Sequence, residues 1–296
     1  MNVILNKMMY ILKYFYRKIV PIRVRILIAK KRIIKYLEKY EDKTEDIVNY
    51  LKFGQFYPFD FMIKYNVKNT IIHTDTNCNM KYIRYDYANG VQNIYFKRKW
   101  TDKDILDYYP GLLSEQDIRS PHRYEFDNCC VQKGDVVADI GAAEGIFALS
   151  VIDKARKIFL FECDEEWIEA LEMTFAPYKE KVVIVNKYVS DVNSDDEIRF
   201  DDFLFSNEVN FIKVDIEGAE SRFLAGAAET LKKEDIKIAI CTYHNKNDAV
   251  EFERLLSDNK FNIKFSEGYM LLGNCPPYSL RKGLIRAAKT VFINND

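Results

Sequence analysis

Residues 136–145 read Val-Val-Ala-Asp-Ile-Gly-Ala-Ala-Glu-Gly. Apolar residues lead into Asp139, glycines stand at Gly141 and Gly145, and a helical pattern begins directly afterwards. A strand that ends in a tight glycine turn at a helix N-terminus is where α/β folds hold nucleotide-like cofactors. The dinucleotide spacing is absent: counted from Gly141, G-x-G-x-x-G needs glycines where Ala143 and Ile146 stand. What remains is D-x-G-x-x-x-G, an acid and an open turn. That pairing suits a cofactor that lacks phosphates and carries positive charge. S-adenosylmethionine, with its sulfonium and ammonium, is such a molecule.

Outward from this turn the chain alternates. Strand-like runs at 136–140, 157–162, 182–185, 209–215 and 236–242 are separated by helix-like stretches at 147–153, 165–175, 219–232 and 248–259. Residues 262–265 and 269–272 read as a terminal strand pair. Such alternation calls for a mostly parallel sheet with helices on both faces. Ligands of these sheets sit beyond the carboxyl ends of the strands, so the polar residues at those ends are the candidates.

On the cofactor side, Asp139, Gly141, Ala143 and Gly145 form one group: small residues admit backbone N–H groups, and the carboxylate can take an ammonium. The second strand ends at Glu162, 23 residues after Asp139. A carboxylate there suits a ribose diol, since it offers two acceptor oxygens. Asp191, beyond the third strand, either reaches an adenine amino group or is a solvated loop acid. The fourth strand delivers Asp215, then Glu217, Gly218 and Glu220. Glu220 fits as a helix N-terminal charge, whereas a carboxylate at Asp215 needs a partner or a task. The fifth strand brings Tyr243 and His244 to the same edge. An imidazole beside a carboxylate has a raised pKa and a fixed tautomer, the arrangement of a general base. His244, oriented by Asp215 or Glu217, is the first candidate; His122, in the polar loop before the first strand, is its rival. Asp215, Glu217 and His244 could instead hold a divalent cation such as Mg²⁺, but Mg²⁺ prefers oxygen ligands to imidazole, so no metal ligand is assigned.

Taken together, Asp139-Ile-Gly-Ala-Ala-Glu-Gly145, Phe161-Glu162 and above all Ile212-Lys-Val-Asp-Ile-Glu-Gly-Ala-Glu220 resemble the FkbM family of S-adenosylmethionine-dependent methyltransferases. The resemblance covers about residues 115–272 and departs from the family at Ala143, often Asn, and at Cys163, often Pro. Ser120-Pro-His-Arg-Tyr124 and Tyr243-His244 are similar to a bacterial branch linked to glycan or surface-polysaccharide modification. The resemblance implies a Rossmann-like class I methyltransferase fold with a seven-stranded sheet, and O-methylation of a sugar, glycan or related metabolite. A sugar hydroxyl is a weak acid, and a base that takes its proton contributes about 10²–10⁴-fold.

Composition sets the surroundings. Residues 1–40 hold eleven Lys/Arg against one acid, Glu38, so this arm is about +10 and the rest about −11 of a net −1. On a helical wheel, residues 2–20 place Ile4, Met8, Ile11 and Phe15 opposite Lys7, Lys13, Arg17 and Lys18, and a second basic helix follows Pro21 to about Tyr40. Such an arm can lie on an anionic membrane, or it can pack on its own domain or a second subunit. The expected division is a basic arm at 1–40, an accessory helical and irregular region at 41–125, the methyltransferase domain at 126–275 and a basic tail at 276–296. The six cysteines show no C-x-x-C pair, which fits reduced thiols in a cytoplasmic protein, peripheral at most to the membrane's inner face. Two other readings stand: an inactive methyltransferase-fold binding module, and a nucleic-acid methyltransferase. The acidic remainder disfavours nucleic acid.

Overall fold

The computed structural model describes residues 19–40, 45–54, 56–57, 70–87, 90–272 and 277–289. The amphipathic stretch expected at 2–20 lies almost wholly outside them. Helices α1 (Ile22–Tyr40) and α2 (Glu45–Phe53) come first. Strand β1 (Phe56–Tyr57) follows. Strands β2 (Ile72–Thr74), β3 (Lys81–Tyr87) and β4 (Gly90–Tyr95) form an antiparallel sheet, and helix α3 (Asp102–Glu115) ends this half.

The regular half runs β5 (Val136–Ile140), α4 (Ile146–Val151), β6 (Lys157–Phe161), α5 (Glu165–Phe175), β7 (Val182–Val185), β8 (Tyr188–Ser190), β9 (Glu197–Arg199), α6 (Phe200–Phe203), β10 (Phe211–Val214), α7 (Glu220–Gly226), β11 (Lys237–Cys241), α8 (Asp248–Asp258), β12 (Asn262–Phe265), β13 (Tyr269–Leu272), β14 (Ser279–Arg281) and β15 (Leu284–Ala288).

Seven strands make the central sheet in the order β12-β15-β11-β10-β5-β6-β7. The five from β7 to β11 run parallel, and β15 is antiparallel to both neighbours. This is the mostly parallel, helix-covered sheet of seven strands that the sequence resemblance implies. The chain leaves β5 toward β7 on one side and returns at β10 on the other, so a crevice opens where β5 and β10 end, and such reversals are where ligands bind. Alternate residues feed two cores. Val137, Phe211 and Ala239 face one; Val136, Ala138, Ile140, Ile212, Val214 and Ile238 face the other. Burial on both faces explains why these strands read as apolar runs, interrupted by Asp139 in β5 and Lys213 in β10.

Three expectations are corrected. The helix expected over 219–232 stops at Gly226 and resumes as a 3-10 turn at Thr230–Lys232, because a Cβ at Gly226 would sit 1.8 Å from the Ser190 carbonyl oxygen: the chain is pressed against β8 there. Residues 262–265 and 269–272 do not pair with each other; β12 pairs with β15, while β13 pairs with β1 and β14. The expected tail at 276–296 contains β15, a strand inside the main sheet. The division at 125 is also crossed by a shared core, in which Ile83, Ile94, Ile105 and Leu112 pack with Val137, Ala148 and Leu160.

Helix α1 has a divided surface. Ile33 and Leu37 pack with Val48, Leu51 and Leu271, while Val24, Leu27, Lys31, Lys35 and Lys39 face outward. No helix among the described residues is long and apolar enough to cross a membrane. Cys78, Cys129, Cys130, Cys163 and Cys241 are free thiols.

Candidate active site

A cavity of about 760 Å³ opens over the ends of β5, β6 and β10, a size ordinary for cofactor sites. Its walls come from the turn Gly141–Glu144, from Glu162 and Trp167, from Asp215 and Glu217, and from His122, Tyr124 and Tyr243.

The glycine turn is built by close packing. Gly141 has φ +77, and a Cβ on it would lie 1.9 Å from the Asp215 carbonyl oxygen, so only glycine lets β5 pass the end of β10. A Cβ on Gly145 would press into Phe175 and Leu171 of α5. Ala143 holds a left-handed φ of 45, and Glu162 fixes it there. Glu162 Oε2 accepts the Ala143 N–H at 2.9 Å, while Oε1 accepts the N–H groups of Cys163 and Asp164 at 2.8 and 2.9 Å. An ionised carboxylate has about four acceptor positions, so Glu162 retains capacity on the cavity side.

Asp139 does not reach the cavity. Register sets it beside Lys213, and the two form an ion pair at 2.9 Å with Asp139 fully buried. Burial opposes charge on Lys213, but Asp139 and Asp215 outweigh it and hold the ammonium above the usual lysine range. Lys213 also donates to the Gly141 carbonyl, which ties the pair to the turn. Asp191 likewise stands off the cavity wall: Arg222 Nε donates to it at 2.8 Å on the exposed rim, and this bond lowers its pKa.

Asp215 is the hub of the opposite wall. Tyr124 donates to Oδ2 at 2.7 Å, His122 Nε2 lies 3.3 Å from the same oxygen, and Tyr243 donates to Oδ1 at 3.4 Å. Burial would raise its pKa, but the His122 bond and charge, Lys213 and Tyr124 hold it well below the carboxylate range. His122 is buried, and Nε2 lies 3.0 Å from the Tyr243 hydroxyl. Burial disfavours the imidazolium, yet the charge of Glu115 and the Asp215 bond raise the His122 pKa overall. His244, the first candidate from sequence, does not line the cavity. Its Nδ1 lies 2.8 Å from Glu220 Oε1, whereas Nε2 is 3.5 Å from Asp215 and 3.6 Å from the exposed Glu217. Beyond the end of β11 at Cys241 the chain is irregular, and there Tyr243 lines the cavity while His244 turns to Glu220 of α7.

Among the described residues, two groups gather metal-ligand atoms within 4.8 Å: His122 with Asp215 and Cys241, and Asp215 with Glu220 and His244. Glu217, expected in such a set, is in neither. Sequence reasoning overlooked Lys213, although a lysine inside a buried apolar strand is itself a signal. It also overlooked the cavity-facing Tyr108, Tyr124 and Glu144.

Residues 168–263 match the family described as the Methyltransferase FkbM domain. No curated protein matches the chain. Among solved structures it is similar to the methyltransferase FkbM from Methylobacillus flagellatus KT, at 17% identity and TM-score 0.43 over 62% of this chain and 52% of that one. The chain thus spans about half the length of that structure. It is also similar to precorrin-6y C5,15-methyltransferase from Geobacter metallireducens GS-15, at 13% identity and TM-score 0.40 over 66% and 93% of the two chains. A third is the S-adenosylmethionine-dependent O-methyltransferase from Thermotoga maritima, at 18% identity and TM-score 0.37 over 54% and 62%.

Proposed function

We propose, from the premise that this chain carries an FkbM methyltransferase domain, that it is an S-adenosylmethionine-dependent O-methyltransferase. Its acceptor on this reading is a hydroxyl of a sugar, glycan or related metabolite in bacterial surface-polysaccharide biosynthesis. The observation that supports the reading most is that His122 and Asp215 share one cavity with the turn Gly141–Glu144 and Glu162.

The residues fit the methyl donor. Glu162 has acceptor capacity for a ribose diol, Trp167 and Phe161 offer aromatic wall, and Glu144, Glu162, Asp215 and Glu217 make the lining acidic, as a cationic cofactor requires. S-adenosylmethionine supplies, when bound, an electrophilic methyl carbon. The protein's share is then positioning and proton transfer. Asp215 holds His122, the Tyr243 hydroxyl shares the hydrogen bond to Nε2, and His122 takes the proton of the acceptor hydroxyl. Tyr243 is not itself the base, because burial and the nearby Cys241 and Asp215 push its pKa far above the tyrosine range. An acidic wall repels phosphate, which disfavours nucleic acid as the acceptor.

Titration calorimetry with S-adenosylmethionine tests the donor. Binding is expected at micromolar cofactor and weakened by Glu162→Ala; no binding at millimolar cofactor overturns the reading. Binding with no turnover on any sugar acceptor would instead mark an inactive binding module. The outward face of α1 supports peripheral contact with an anionic membrane at its cytoplasmic side. Deleting residues 1–40 is then expected to release the protein from phosphatidylglycerol vesicles without loss of cofactor binding.

A further inference from the structure

We propose that Glu144 binds the primary ammonium at the amino-acid end of the methyl donor; this rests on the methyl-donor reading above. Glu144 lies in the turn between β5 and α4 and lines the cavity, yet only 5% of it is exposed. The Tyr108 hydroxyl donates to Oε2 at 2.7 Å, and among the described residues no lysine, arginine or histidine pairs with it. A buried carboxylate without a countercharge is costly. Burial accordingly pushes its pKa up to about 7, against the opposing bond from Tyr108. A cation arriving with a ligand would relieve that cost through a charge-assisted hydrogen bond.

The other acids have tasks. Asp139, to which the sequence assigns the ammonium, is closed off by Lys213. Glu162 accepts three backbone N–H groups. Asp164 caps α5 and pairs with Lys97. Asp215 serves His122 and Tyr124, the charge of Glu115 acts on His122, and Glu217 stands out at the mouth beside His244. Glu144 is the buried acid of this wall with no ion-pair partner among the described residues, and Lys213 reaches it only as a distant charge.

The test compares S-adenosylhomocysteine, which keeps the amino-acid end, with 5′-methylthioadenosine, which lacks it. By calorimetry, Glu144→Gln is expected to weaken the first at least tenfold and the second less than twofold. Wild-type protein below pH 7 is expected to release a proton to buffer on binding S-adenosylhomocysteine, and the variant none. Equal losses for both ligands, or unchanged affinity for S-adenosylhomocysteine, overturn the proposal. Wild-type protein that binds neither ligand overturns the donor reading itself, and the proposal with it. Tyr108→Phe gives a second measure if Glu144→Gln does not fold. It is expected to weaken S-adenosylhomocysteine severalfold and leave the thioadenosine unchanged, and equal losses again count against the assignment.

Discussion

Arg286 Nη2 donates to the Arg123 carbonyl at 2.6 Å, and Nε of the same guanidinium lies 3.2 Å from the carbonyls of Arg123 and Tyr124. A buried arginine in β15 therefore holds the loop that presents His122. Burial drags its pKa down to about 10, so this contact keeps a charge in an unfavourable place. Hydrogen bonds to charged groups are worth about 1.5–3 kcal/mol each. Arg286→Met is expected to lower turnover about tenfold or more with donor affinity nearly intact. Parallel loss of both would instead show a general loosening of the sheet.

His122 has a raised pKa, so in the resting protein it is protonated above the pH at which a free imidazole loses its proton. A base must be neutral to act. The rate kcat/KM is expected to climb with pH through the raised His122 pKa and then level off. His122→Gln should cost about 10²–10⁴-fold in kcat and flatten that limb. A variant with wild-type turnover removes His122 as the base.

The Asp139–Lys213 pair makes a stability prediction. Removing one partner of a buried ion pair costs about 3–5 kcal/mol, whereas an apolar replacement of both is often neutral. Asp139→Asn should lower the urea midpoint sharply, and Asp139→Leu with Lys213→Met should recover most of it. Full stability of Asp139→Asn, accompanied by lost donor binding, would return Asp139 to the cofactor.

His244 and Glu220 make a pH-dependent one. Burial lowers the His244 pKa, but the bond and charge of Glu220 raise it overall. A folded-state pKa above the unfolded value gives stability that is full below about pH 6.5 and lost as pH rises through the folded pKa. Glu220→Gln should therefore be most destabilising, by about 3 kcal/mol or more, at mildly acid pH, and least at alkaline pH. Urea melts at pH 6 and pH 9 measure the difference, and a pH-independent deficit would assign Glu220 to packing alone.

The turn at 141–145 was legible because glycine records a backbone requirement directly: Gly141 is needed for the pass beneath Asp215. Part of the cavity lining was legible too, since strand ends converge wherever a parallel sheet reverses: Glu162, Asp215 and Glu217 line it, whereas Asp139, Asp191 and His244 do not. What sequence could not supply was direction. Tyr243 and His244 are neighbours just past the end of β11, and only the course of the chain there decides which one faces the cavity. Strand β15 was illegible for a related reason. Leu284-Ile-Arg-Ala-Ala288 is short and broken by Arg286, whose burial makes sense only once the carbonyls of Arg123 and Tyr124 stand beside it. Asp139 misled because its partner Lys213 is 74 residues away in the chain and adjacent only through register.

The place of β15 between β11 and β12 also sets a timetable for synthesis. Both neighbours leave the ribosome before the strand that joins them. Through that interval β11 and β12 each carry an unpaired edge, open to pairing with another nascent chain. The sheet closes, and the loop bearing His122 gains its arginine clamp, only after residue 288 has been made. The clamp on the loop bearing His122 thus forms later than every parallel strand of the sheet that the loop faces.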